Sequence, residues 1–241
     1  MTALTTEQRK ALDRYAELQA QYPQLFGERT LRRIVTDRAA LESYAAGHGV
    51  VVGVAAETHW FFFLIDLVEP ASGGVPYTYS RLINRGQLEG GTNVAVLALI
   101  ADPSLGSPGD VVLVEQERHA LGRMETAIPR GFGEPGLEGP DNALRELQQE
   151  TGYVGSEAEF LGEVVIDSGT GDARVRFYRV AVHGRVAPAP EREESIRGVK
   201  TMPPAALWAA ILSGEVTDSF TIEALALAAS SPPRKPRPTE L

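Results

Sequence analysis

No cysteine occurs in the 241 residues. That excludes a disulfide framework, a thiolate metal site and a cysteine nucleophile. Histidine is scarce as well: His48, His59, His119 and His183 are the whole set. None lies at metal-ligand spacing from another, so each reads as a surface or edge residue. Long apolar runs are missing. Trp60–Ile65 stops at Asp66, far short of the ~20 residues that cross a bilayer as a helix. The opening MTALTTEQRK has no apolar core of a signal peptide. The expectation is a soluble, cytoplasmic protein with no membrane span. Positive charge is in deficit, with 23 Lys and Arg against 32 Asp and Glu for a net charge of −9. An acidic chain does not gather phosphate backbones by bulk electrostatics, so nucleic acid is not an expected partner. Neither a Gly-x-Ser-x-Gly elbow nor a P-loop occurs. The remaining composition, 43% apolar and 23% charged, is that of an ordinary globular protein.

The pattern divides the chain into three stretches. Residues 1–88 open with a helix. Thr5-x-x-Gln8 reads as its capping box, Leu12, Tyr15 and Tyr22 fall near helical spacing, and Pro23 stops it. A second helix is expected from Thr36 or Asp37 to Ala46, closed by Gly47. Strands are expected at Val50–Val54, Trp60–Val68 and Tyr77–Ile83. The aromatic run in the middle one lacks alternation, which predicts that both faces are covered, by the core or by a second subunit. Residues 89–229 alternate strands and helices. The strands are Asn93–Ile100, Val111–Glu117, Met124–Ile128, Phe160–Asp167 and Val175–Val182. The helices are Asp141–Thr151, closed by Gly152, Pro203–Leu212, and Asp218–Ala229, the last capped by Thr217 or Asp218. This order suggests an α+β fold or an α/β/α sandwich. Residues 230–241, rich in proline and basic side chains, read as a disordered tail.

Chemistry concentrates between Pro129 and Tyr153. On a helix Glu146, Gln149 and Glu150 share one face, and Leu144, Leu147 and Thr151 take the opposite one. Carboxylates so placed repel each other unless a cation lies between them, and oxygen ligands without cysteine suit Mg2+ or Mn2+. By itself Glu-x-x-x-Glu is usually a solvated helix face. Gly131-Phe-Gly133-Glu-Pro-Gly136 also spells a dinucleotide fingerprint, but Pro135 and Pro140 occupy the place where a helix N-terminus would have to receive pyrophosphate. Trp208 reads as core packing or as a base-stacking ring.

The segment resembles the Nudix box, G-x5-E-x7-R-E-U-x-E-E-x-G-U with U a bulky apolar residue. Gly131, Arg145, Glu146, Leu147, Glu150, Gly152 and Tyr153 fall in register. Asn84-Arg-Gly86, Val114–Arg118 and Glu194–Arg197 resemble the lead-in and late acidic loop of ADP-ribose pyrophosphatase-type members. The resemblance implies a Nudix α/β/α sandwich with a mixed sheet, preceded by an N-terminal α/β region that forms a homodimer. It implies hydrolysis of a small nucleoside-diphosphate-linked substrate, ADP-ribose or a nucleotide sugar, with release of a nucleoside monophosphate. Glu146, Gln149, Glu150 and a backbone carbonyl near Arg130 or Gly131 would hold Mg2+ or Mn2+. Glu193 or Glu194 would be a base or further ligand, and Arg118, with Arg130 and Gly131, would contact the diphosphate. Three positions depart from the pattern. Leu137 stands where the family has the glutamate that pairs with the box arginine, and Asp141 is the expected substitute. Gln149 replaces a glutamate, and Ala127 replaces the glutamate four residues before the box glycine. These losses leave a second expectation open, a Nudix-derived module that binds or senses a nucleotide without turnover. An interaction scaffold is a third, and a DNA-binding regulator is disfavoured by the acidic charge.

Overall fold

The computed structural model describes residues 3–191 and 194–229. The tail expected over 230–241 lies outside them. The described residues form two compact units, one of residues 3–88 with Ile166–Ala173, the other of Glu89–Val165 with the described residues from 174 to 229.

The first unit is built by α1 (Thr6–Gln21), a 3-10 turn (Pro23–Phe26), β1 (Arg32–Ile34), α2 (Arg38–His48), β2 (Gly53–Glu57), β3 (Phe61–Pro70), β4 (Tyr77–Asn84) and the short α3 (Arg85–Leu88). Both bonds of the Thr5–Gln8 capping box form. All strand pairs are antiparallel. β4 lies along one edge of β3, and β2 and β1 share the other. Leu12, Tyr15 and Leu18 of α1 and Leu41 and Ala45 of α2 cluster with Phe62, Leu64 and Ile83 of the sheet. Within this core Asp66 accepts hydrogen bonds from Tyr15 and Arg81, so the buried charge is paired.

Several boundaries differ from those expected. Helix α2 passes through Gly47 and ends at Gly49, whose φ of 65° supplies the left-handed cap. Strand β2 starts at Gly53 rather than Val50. There φ is 111° and a Cβ would stand 2.5 Å from the Ala11 carbonyl oxygen. The aromatic run alternates after all: Phe62 and Leu64 are buried, whereas Phe61 and Ile65 are half-buried and Phe63 is 38% exposed. Both faces are therefore not covered within one chain. An antiparallel sheet with helices on a single side leaves its other side open.

The second unit contains β5 (Val94–Ile100), β6 (Val111–Arg118), β7 (Arg123–Ala127), β8 (Arg130–Gly131), α4 (Gly139–Thr151), β9 (Tyr153–Val165), β10 (Arg174–Arg185), β11 (Ile196–Met202), α5 (Pro204–Leu212) and α6 (Ser219–Ala229). Its sheet is seven-stranded and runs β11-β6-β5-β10-β9, with β7 on β6 and β8 on β5. The β5–β10 pair is parallel and the other pairs are antiparallel. Ala143 and Leu147 of α4 pack on Val94, Val96, Ala98, Val180 and Val182. On the opposite face Phe220 of α6 meets Phe177 of β10, and Leu227 closes over Gly162. Helices on both faces of a mixed sheet make the α/β/α sandwich. Strand β11 lies just past the acidic loop, in a stretch where no strand is expected from the residue pattern.

The end of α4 fixes where the next strand starts. Gly152 has a φ of 75°, and a Cβ there would stand 2.3 Å from the Val186 carbonyl oxygen. Gly152→Ala combines left-handed strain with a backbone clash and is expected to cost about 3 kcal/mol, read as a fall in urea midpoint at unchanged slope.

Candidate active site

Strand β7 leads through Ile128 and Pro129 into β8, a loop, and then α4. Each step is pinned by a specific bond. The Ile128 N–H donates to Thr221 Oγ1 at 3.0 Å, β8 pairs with Val94 and Ala95, and the Gly133 N–H donates to Asn93 Oδ1 at 2.9 Å. The buried Asn142 then ties loop to helix: its Nδ2 donates to the Thr92 and Phe132 carbonyls at 3.0 and 3.1 Å. Helix α4 starts at Gly139 with Pro140 in its first turn, which leaves residues 132–138, between β8 and α4, as a loop and not a phosphate-binding helix entry.

This arrangement places Glu146 and Glu150 one turn apart beneath β8. They are 7% and 3% exposed, so this is not the solvated face that such spacing usually marks. A Cβ on Gly131 would stand 2.1 Å from Glu146 Cδ, and the Arg130 N–H donates to Glu150 Oε2 at 3.1 Å. Burial, then the charges of Glu194 and Glu146, hold the Glu150 carboxyl well above the ordinary range. Burial raises Glu146 too, opposed by Arg145 and reinforced by Glu194 and Glu191. The late loop thus brings Glu194 within electrostatic reach of both. The Glu191 N–H donates to Glu194 Oε2 at 2.8 Å, and Gln116 donates to the Glu194 carbonyl. The next residue, Ser195, has a φ of 52°, strained for a non-glycine residue. Glu193 lies outside the described residues.

Three arginines frame these carboxylates. Arg118 is half-buried, and its Nε and Nη2 have no hydrogen-bond partner among the described residues. Burial, then Arg130, lowers its pKa. The Arg130 side chain turns to α6, where Nη1 meets Asp218 Oδ1 at 2.9 Å and the guanidinium lies 4.1 Å from the Phe220 ring centre. Asp218 also accepts from the Thr221 N–H, capping α6. Arg145 donates to Glu134 Oε1 at 2.7 Å, Asn142 Oδ1 at 3.0 Å and Glu146 Oε1 at 2.8 Å. The partner of the box arginine is Glu134, not Asp141, which is exposed one turn before it on α4. Gln149 is half-buried on α4, Leu137 half-buried in the loop, and Ala127 buried at the end of β7. Trp208 is 37% exposed on α5 and so is not a core residue. All four histidines are exposed, as expected.

A model of the NUDIX domain matches residues 91–221. The chain belongs to the Nudix family. Among curated Nudix relatives, mouse ADP-sugar pyrophosphatase is 36% identical over 85 residues, or 34% of this chain and 39% of that protein. ADP-ribose pyrophosphatase of Mycobacterium tuberculosis is 29% identical over 125 residues, or 51% of this chain and 60% of that protein. Neither match spans two thirds of the relative. A crystal structure of an ADP compounds hydrolase superposes with a TM-score of 0.58 at 17% identity, covering 73% of this chain and 88% of the other; it shows the shared fold. Nudix hydrolases act on small nucleotide substrates and generally require a divalent metal. The donor set here fits such an ion. Its oxygens come from carboxylates, both buried, and Glu150 is held away from ionisation by burial and then by like charges that a cation would offset. Among the described residues no three acidic or histidine side chains already converge on one point. No helix among the described residues is long and apolar enough to cross a membrane.

Spacing singles out Glu146 and Glu150, and the resemblance Arg118, which the structure brings within electrostatic reach of one another; neither singles out Glu134, Asn142, Asp218 or Phe220 as part of this arrangement. Of these only Asp218 left a signal, as a helix cap.

Proposed function

We propose that this Nudix protein hydrolyses a nucleoside diphosphate linked to a second moiety, with ADP-ribose or a nucleotide sugar as substrate and a nucleoside monophosphate as product. The observation that carries the proposal is Glu150, a buried carboxylate flanked by two others and facing an arginine with unused donors. Glu146, Gln149, Glu150 and the Arg130 carbonyl would hold Mg2+ or Mn2+. Such an ion offsets diphosphate charge and makes water a stronger nucleophile. Arg118 would direct its free N–H groups at phosphate oxygens. Gly131, lacking a side chain, lets the β8 backbone lie close to the ligand, and Glu194 or Glu193 would take the proton from water. Similarity to the ADP-sugar and ADP-ribose pyrophosphatases supports the substrate class. The test is monophosphate release, measured by chromatography, from ADP-ribose, nucleotide sugars, dinucleotides and NAD in Mg2+ and in Mn2+. Folded protein that cleaves none of them rules the proposal out.

The second reading is a module that binds a nucleotide without cleaving it. It is favoured by the absence of three converging ligands among the described residues and by the neutral residues Gln149, Leu137 and Ala127. ADP-ribose binding by calorimetry with no monophosphate release would establish it.

The proposal extends to a homodimer through the first unit. Phe63 pairs directly with Leu82 across β3 and β4, and both are more than a third exposed. Covering such a face removes apolar area from water. Phe63→Glu is expected to convert a dimer into a monomer by light scattering; a wild type already monomeric at assay concentrations removes the idea.

A further inference from the structure

The box of this chain lacks the carboxylate that its family sets against the box arginine, yet Arg145 is not short of one. Glu134, three residues before Leu137 in the loop, accepts from Arg145 Nη1 at 2.7 Å. Nη2 of the same guanidinium serves Asn142 at 3.0 Å and Glu146 Oε1 at 2.8 Å, and Nε is buried without a partner among the described residues. A guanidinium prefers to grip a carboxylate with two parallel N–H groups. Here Nη2 holds Glu146 through Oε1 alone, which leaves Oε2 free of Arg145 and available to a cation.

We infer that Glu134 is the positioning residue of this site: by holding Arg145 Nη1 it fixes the guanidinium in the orientation in which Nη2 takes Glu146 by Oε1 alone, and so keeps that carboxylate turned toward the metal position. The inference rests on the proposed metal-dependent hydrolase. It gives a role to a side chain that is 61% exposed and that, as a surface ion pair, contributes little to stability. Three interactions converge on Arg145, and each limits its motion differently. Asn142 fixes the guanidinium to the loop backbone, Glu134 sets the direction of its plane, and Glu146 receives what remains. Removing Glu134 leaves Glu146 as the only carboxylate on Arg145 among the described residues, and the guanidinium is then free to turn and take both of its oxygens.

Mn2+ affinity of the full chain, measured by calorimetry or paramagnetic resonance without substrate, tests this directly. Glu134→Gln is expected to weaken Mn2+ binding about tenfold, the size of effect typical for a group that orients a ligand, at an unchanged melting temperature. Arg145→Lys, with a single donor centre, is expected to weaken it as well, and the double variant to be no worse than Arg145→Lys alone, because Glu134 acts only through Arg145. Equal affinity in Glu134→Gln and wild type, or losses that add in the double variant, would overturn the inference while leaving the hydrolase proposal standing. A wild type that binds no Mn2+ would remove both.

Discussion

Glu150→Gln is expected to melt at a higher temperature than wild type in chelator while turning over about 10^3-fold more slowly in Mn2+. The two effects share one cause. Glu150 is buried beneath β8, and burial with the nearby Glu194 and Glu146 raises its folded pKa well above the ordinary value of 4.5. Below pH 4.5 the group is protonated folded and unfolded alike and makes no difference to stability. As pH rises, the unfolded carboxyl ionises freely while the folded one resists. Stability is therefore lost, at about 1.4 kcal/mol per pH unit, until the folded pKa is passed. Glutamine keeps an oxygen acceptor for the Arg130 N–H without titrating, so the gain should be larger at pH 8 than at pH 5. A metal ion removes the penalty in wild type by supplying the opposing charge, so Mn2+ should raise the melting temperature of wild type far more than that of the variant. Loss of a ligand carboxylate removes several kcal/mol of charge stabilisation; about 4 kcal/mol corresponds to that rate loss. Scanning calorimetry at the two pH values, with chelator and with Mn2+, reads the first effect and monophosphate release the second. A variant less stable than wild type at pH 8 would contradict the electrostatic environment assigned to Glu150.

What the sequence made legible was local chemistry. The Thr5–Gln8 box and the Gly152 cap need only near neighbours, and both form as read. The spacing of Glu146 and Glu150 likewise gave a shared helix face. Their burial was not legible, because the cover is β8, two residues long and held by pairing with Val94 and Ala95 from distant sequence. The choice between Gly47 and Gly49 as the end of α2 had the same character. Either glycine can terminate a helix, and Gly49 is the one that takes the left-handed conformation, one residue before Val50 returns its N–H to the Ala45 carbonyl. Strand β11 carries too many polar residues to announce itself, and it exists because the β6 edge from Val111 to Gln116 offers partners. Glu134 shows the limit most clearly. Asp141 lies one turn from Arg145 and is the natural expectation, but reach along a helix is not the same as direction. The guanidinium turns toward the loop that Asn142 has already fastened.

Gly131→Ala is expected to leave the fold intact and to cost about 100-fold in Mn2+ affinity and turnover. The backbone at 131 is not in the left-handed region, so alanine meets no conformational penalty there. Its methyl would instead stand 2.1 Å from Glu146 Cδ, 2.3 Å from Oε1 and 2.5 Å from Cγ. Side-chain atoms can move where backbone cannot, and Glu146 would swing off its rotamer at a cost of about 1–3 kcal/mol, of the order of overpacking elsewhere in protein cores. The swing carries the carboxylate away from Glu150 and breaks the single bond from Arg145, so the ligand position is lost although the residue remains. A displaced ligand is expected to act at the upper end of the roughly 10–100-fold range seen when ligand orientation is disturbed. Gly133 supplies the contrast: its nearest atoms are the backbone of Gly91 and Thr92, the closest at 2.1 Å, so alanine there should unfold the loop itself. Parallel melts and Mn2+ titrations of the two variants separate the cases. Gly131→Ala should remain folded with weak metal binding, and wild-type Mn2+ affinity in that variant would show that Glu146 is not a ligand.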